Sequence, residues 1–324
     1  MVKVDLQKAF IEALGRRYPK KSNLVEILSN IISIEKDGIY RRLSGKINFS
    51  INEMATISNV LNVPIDRLIN GKRDATVSLP FILREPLHIS SMDILLDSIY
   101  FTLERINTIG TGACGNVFKS LPIEFYLHSM LFSKFMFFRI GHYFVGTYEF
   151  KNFSQWKIPE RWLTLSDKIK EVHRNFESVF YILDEFVFSS LAIEVLNFHR
   201  MQVITDNEKN LLRDELYALL DSIEQMISGD PSSPIQISDN RSFYISPISI
   251  GFDINYFLSG DKHFISFYTD FSLSLVENDP EGFCRLKEWV DSFRNISTSI
   301  SDNGLTERTR FFNFQRKLVS QILG

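Results

Sequence analysis

The sequence is poor in several features that would narrow its function by themselves. It has only two cysteines, Cys114 and Cys284, far apart along the chain. That excludes a disulfide framework and a cysteine-based zinc site. The first residues, Met1-Val2-Lys3-Val4-Asp5, lack the apolar stretch of a secretory signal. No run of 18 uncharged apolar residues occurs; the most apolar segment, Phe125–Val145, is interrupted by His128, Lys134, Arg139 and His142. A cytoplasmic protein is therefore expected. There is no internal repeat and no low-complexity tract. The six histidines form no H-x-x-x-H pattern, and no G-x-S-x-G or similar nucleophile motif is present. No catalytic, cofactor-binding or metal-binding residues are expected, so an enzyme is not.

Aromatic residues are plentiful instead: 29 Phe and 11 Tyr among 324 residues, enough for a large apolar core. Charge is nearly balanced overall, at −3, but it is unevenly spread. Residues 1–75 carry 13 Lys/Arg against 8 Asp/Glu, a net +5, and the remainder carries 23 against 31, a net −8. Such asymmetry suggests that a polyanion meets the N-terminal part.

Short helical patterns fill residues 5–70. Leu6, Phe10, Ala13 and Leu14 share one face, and Tyr18-Pro19 breaks the pattern. Leu24, Ile27, Leu28 and Ile31 form a second stripe, with Ser22 or Asn23 as its expected N-cap. Ser33 is placed to cap a third, short helix carrying Ile39, Tyr40 and Leu43, and Gly45 to end it as a C′ glycine. Ser50 and Glu53 make a capping box for a fourth helix with Ile51, Met54, Ala55, Ile57 and Leu61 on its apolar face. Pro64 opens a fifth, Pro64–Ile69.

The second and third patterns meet a specific physical requirement. A helix that reads DNA enters a major groove about 12 Å wide. It needs one face anchored on a scaffold helix and the other face polar. Leu24, Leu28, Ile31, Ile39 and Leu43 supply the anchor, and Lys36, Asp37, Tyr40, Arg41 and Arg42 reach far enough for bases and phosphates. The turn between the helices, Ile32-Ser33, is short enough for the motif.

On these residues the chain resembles the lambda-repressor-like (XRE-type) helix-turn-helix transcription regulators. The resemblance covers Asn23–Gly71. It includes Gly45 at the end of the recognition helix and the Leu61, Val63 and Leu68 spacing after the fourth helix. The segment YRRLSGK also resembles a bacterial subgroup with a long C-terminal domain. The chain departs from the family by Ser33 where the turn usually has Gly, and by Ser29 where helix two often has Ala. Leu43 sits one residue off the usual spacing if Ile39 is the anchor and fits if Tyr40 is, which leaves two registers one residue apart. The resemblance implies that Lys36, Asp37 and Arg41 face bases, that Arg42, Ser44 and Lys46 contact phosphates, and that Tyr40 does either or is core.

The expected architecture is mainly α. Residues 1–72 form a five-helix DNA-binding domain and 73–90 a linker. Residues 91–324 form a mainly helical regulatory or oligomerisation domain with a small β element (α+β). Helical spacing runs through Ser91–Ile109, Leu121–Phe144, Leu165–Val203 with a break near Phe188–Ser190, and Asp206–Ser228 with a Thr205/Glu208 capping box. Arg241–Gly251 and Lys262–Thr269 alternate as two or three strands. Two further helices, Phe283–Phe293 and Glu307–Leu323, close the chain; the second has Phe311, Phe314, Leu318 and Ile322 on one face.

Gly110–Gly115 spells G-x-G-x-x-G, but the segment before it reads as helix, so a loop is expected rather than a dinucleotide site. Asp184-Glu185 and Asp214-Glu215 read as solvated acids on helices. Phe125–Phe144 reads as a buried core helix, with a ligand pocket or membrane-interface segment as the sharper alternatives. The function expected is sequence-specific binding of double-stranded DNA by a homodimer that places two recognition helices about 34 Å apart. The C-terminal domain senses a small-molecule or protein effector, sets the dimer, or both. The competing expectation is a protein-interaction or antitoxin-like module whose N-terminal bundle docks on a protein.

Overall fold

The computed structural model describes residues 5–61, 112–144, 150–173, 177–235, 240–260, 262–269, 272–276, 280–301 and 304–324, together with single positions between 63 and 104. Two compact units divide the chain, Met1–Ser78 and Leu79–Gly324. The expected linker 73–90, and the helices expected at Pro64–Ile69 and Ser91–Ile109, lie outside the described residues apart from a few isolated positions.

In the first unit the described helices are α1 (Leu6–Arg17), α2 (Lys21–Ile32), α3 (Lys36–Leu43) and α4 (Ile51–Leu61). Asp5 caps α1 by accepting from the Lys8 amide. The α2 helix starts ahead of the expected Ser22 or Asn23 cap, because Lys20 takes the extended cap conformation and offers no side-chain bond. Phe10, Leu14, Leu24, Leu28, Ile39 and Ile57 meet at the centre, each 3% exposed or less. Of the apolar face expected on α4, Met54, Ile57 and Leu61 are buried, whereas Ile51 and Ala55 are exposed. Gln7 on α1 fastens the segment leading into α4: its amide donates to the Phe49 carbonyl at 2.6 Å and accepts from the Phe49 amide at 3.1 Å.

The second unit is mainly helical around one mixed sheet. Its elements are β1 (Ala113–Phe118), α5 (Ile123–Tyr126), α6 (Met130–Phe144), α7 (Glu160–His173), β2 (Ser178–Leu183), α8 (Val187–Arg200) and α9 (Asp206–Ile227). Then follow β3 (Arg241–Ile245), β4 (Asp253–Ser259), β5 (Lys262–Thr269), β6 (Ser272–Val276), α10 (Pro280–Ile296), β7 (Thr298–Ser299) and α11 (Leu305–Leu323). The sheet order is β6-β5-β4-β1-β2-β3-β7. The strands β1, β2 and β3 run parallel, with Asn116 opposite Tyr181 and Tyr181 opposite Phe243; β4 joins β1 antiparallel, with Asn255 opposite Asn116.

The α+β mixture matches expectation, but the described residues form a sheet of seven strands rather than two or three. Among the strands not expected, β2 lies inside the segment read as helix. Its run SVFYIL is buried on both faces, and such a run has the same apolar density as a helix interior. Another, β1, replaces the second half of the glycine-rich loop. Gly115 belongs there because a Cβ would come within 2.3 Å of the Tyr256 ring and 2.6 Å of Phe180, both packed across that face.

Side chains alternate between two cores. Cys114, Phe118, Tyr181, Leu183 and Phe243 face a cluster built with α5 to α9 and α11, and Val117, Phe180, Ile182, Ile254 and Tyr256 face Phe283, Val290 and Phe293 of α10. Phe132, Phe135 and Phe138 of α6 are fully buried among Phe153, Trp156 and Phe198, so Phe125–Phe144 contains a core helix. The capping box Thr205/Glu208 starts α9 as expected. The buried stripe of α11 is Arg308, Phe311, Phe312, Gln315, Val319 and Leu323, rotated from the expected one. It docks on α8 and α9, with the Gln315 amide donating to the Glu185 carbonyl. Asp184 is not a solvated helical acid. It is buried after β2, and its carboxylate accepts from the Phe186 and Ile250 amides.

Candidate nucleic-acid interface

The geometry of the interface starts at the turn after α2. Ser33 adopts a left-handed conformation, φ 54° and ψ 42°, and terminates α2 rather than capping α3. The Ser29 hydroxyl reaches across the turn and donates to the Ile34 carbonyl at 2.6 Å. The turn is thus longer than Ile32-Ser33, and α3 begins at Lys36 after a Glu35 cap that makes no side-chain bond. At the other end Gly45 has φ +74°, and the Lys46 and Gly45 amides donate to the Arg41 and Arg42 carbonyls at 2.9 and 3.0 Å. Those two bonds are the Schellman pattern, which uses a left-handed C′ residue and so favours the expected glycine.

Burial fixes the register. Ile39 is 0% exposed and Tyr40 is 43% exposed, so Ile39 is the anchor, with half-buried Leu43 one turn on. Lys36, Asp37, Tyr40, Arg41, Ser44 and Lys46 are all exposed. Tyr40 is therefore not core. The Ser44 hydroxyl donates to the Arg41 carbonyl at 3.0 Å, closing the helix end.

Arg42 has a different environment. Its Nε and a terminal nitrogen donate to the two Glu53 carboxylate oxygens at 3.1 and 2.8 Å, and the other terminal nitrogen donates to the Gly38 carbonyl at 3.3 Å. Glu53 also accepts from the Ser50 amide at 2.8 Å while the Ser50 hydroxyl accepts from the Glu53 amide at 3.2 Å, the expected capping box. One carboxylate thus both caps α4 and clamps α3 to it. Partial burial opposes ionisation of Glu53. The bonds from Arg42 and Ser50, with the Arg42 charge, together outweigh burial and hold its carboxyl below the ordinary value.

The fold adds Lys21 to the residues read from sequence. Its Nζ lies 5.9 Å from the centre of the Tyr40 ring, within cation–π range, and Lys20 is exposed beside it. The signal was the Lys20-Lys21 pair just ahead of the second helix. The exposed surface of α3 and its flanks thus holds five cations, Lys20, Lys21, Lys36, Arg41 and Lys46, beside two acids, Asp37 and the cap residue Glu35.

The second unit has a buried polar row on the central strands. The Tyr181 hydroxyl donates to Glu124 Oε1 at 2.7 Å and accepts from Arg241 at 2.8 Å, and the Asn116 amide donates to the Phe180 carbonyl at 3.0 Å. Burial, reinforced by the Glu124 charge, pushes the Tyr181 hydroxyl well up, so it stays a neutral donor. Among the described residues no group of His, Cys, Asp and Glu gathers where a metal ion could sit, and no helix is long and apolar enough to cross a membrane. Comparison with protein-family models, with curated proteins and with solved structures finds no match.

Proposed function

We propose that the chain is a sequence-specific, double-stranded DNA-binding transcription regulator that works as a homodimer, with residues 91–324 sensing an effector, setting the dimer, or both. One observation carries the reading. The two-turn helix α3 is held on one side by Ile39 and Leu43 and on its flank by the Arg42–Glu53 pair, while its opposite side is exposed and polar. That is the shape a major groove admits. The exposed lysines around it supply phosphate contacts, and α2 starts without a side-chain cap at its positive end.

The test is the affinity of the full chain for a duplex pool as salt is raised. Contacts from Lys20, Lys21, Lys36 and Lys46 give log K against log salt a slope of roughly −3 to −4 per bound copy. An undetectable or salt-independent interaction would instead favour the protein-docking reading. Ile51, 80% exposed at the start of α4, is an apolar side chain that reading would use.

A further inference from the structure

The orientation of α3 separates the side chains that can reach a base from those that cannot. Successive residues of a helix turn by about 100°. With Ile39 pointing into the core, the outward line of α3 runs through Asp37 and Arg41, two positions before and two after it. They are one turn apart, about 6 Å along the axis. Lys36 and Tyr40 lie on one flank, and Gly38 and Arg42 on the other. Arg42 is turned back onto Glu53. The outermost line of the helix therefore carries one guanidinium and one carboxylate, both exposed.

From this placement, and resting on the DNA-binding reading above, we infer that Asp37 and Arg41 determine sequence specificity, and that the half-site carries a guanine read by Arg41 and a cytosine read by Asp37. A carboxylate only accepts hydrogen bonds and is repelled by phosphates, so on the outermost line of a mainly cationic surface it finds a favourable partner at an amino group on a base edge. Cytosine N4 offers that amino group with no acceptor beside it, whereas adenine sets its N7 acceptor next to N6, and the acceptors of guanine and the O4 of thymine repel a carboxylate. Arg41 has five donors in a fork that matches guanine O6 and N7. A 6 Å separation spans about two base steps of 3.4 Å, so the two bases lie within about two steps of each other. Asp37 lowers affinity for duplex in general and sharpens the choice among sequences.

The experiment selects bound duplexes from a random pool with the full-length protein, Asp37→Asn and Arg41→Ala, each checked for unchanged thermal melting. The natural chain should enrich a guanine and a cytosine within two steps of each other. Arg41→Ala should make the guanine position degenerate and weaken binding to the selected duplex roughly ten- to a hundredfold. Asp37→Asn should move the favoured base from cytosine to adenine, whose N6 and N7 fit an amide. Selection of the same sequence by all three proteins would overturn the inference while leaving DNA binding intact. Failure of the natural chain to retain any duplex at low salt would overturn the DNA reading itself.

Discussion

Arg41 and Arg42 are neighbours in the sequence but meet different surroundings. Arg41 is exposed, whereas Arg42 is fixed by a two-point bond to Glu53, with both partners' side chains under 20% exposed. A fork-to-carboxylate pair with that geometry is stronger than an ordinary surface pair. Arg42→Ala should therefore lower the stability of the first unit by about 1–2 kcal/mol, while Arg41→Ala should leave it within about 0.5 kcal/mol. The same pair sets a pH dependence. The Glu53 carboxyl is held below its ordinary value of 4.5, so its contribution is complete above that value and is lost as pH falls through the lowered native one. In acid melts of full-length protein, the advantage over Glu53→Gln should be constant near neutrality and shrink below about pH 4.5. An advantage that grows in acid would contradict the bond network described.

At the scale of elements, the α2–α3 turn holds a correctable strain. Ser33 occupies a left-handed conformation that favours glycine, and it is exposed. Ser33→Gly should raise the melting stability of the first unit by up to about 1 kcal/mol; a loss would mean that the Ser33 side chain has a stabilising partner. Elements announced by local chemistry were legible in the sequence. The Thr205/Glu208 and Ser50/Glu53 boxes, and Gly45 after α3, each act within a few residues. Elements defined by distant partners were not. The strand β2 looks helical until both of its faces are known to be covered, and Gly115 needs the rings of Phe180 and Tyr256. Glu53 was visible as a cap, but its grip on Arg42 depends on α3 crossing α4. The stripe on α11 was misplaced because its centre is a buried polar residue, Gln315.

Over the whole molecule, the first unit has its own apolar core, and the second has two more on either side of its sheet. Calorimetry of the full chain should resolve two transitions. Ile39→Ala, which leaves a cavity worth about 2–5 kcal/mol, should move only one of them. A single transition shifted as a block would show that the units unfold together. The sheet also imposes an order on synthesis. Its central strand β1 bonds to β2 through Asn116 and Phe180, 64 residues apart, but Asp253 at the head of β4 is 134 residues from the Lys119 amide it accepts. At about 5–20 residues per second, β1 leaves the ribosome on the order of ten seconds before β4 exists to cover its second edge. During that interval the centre of the finished sheet is an open strand edge, the point of the nascent chain most vulnerable to mispairing.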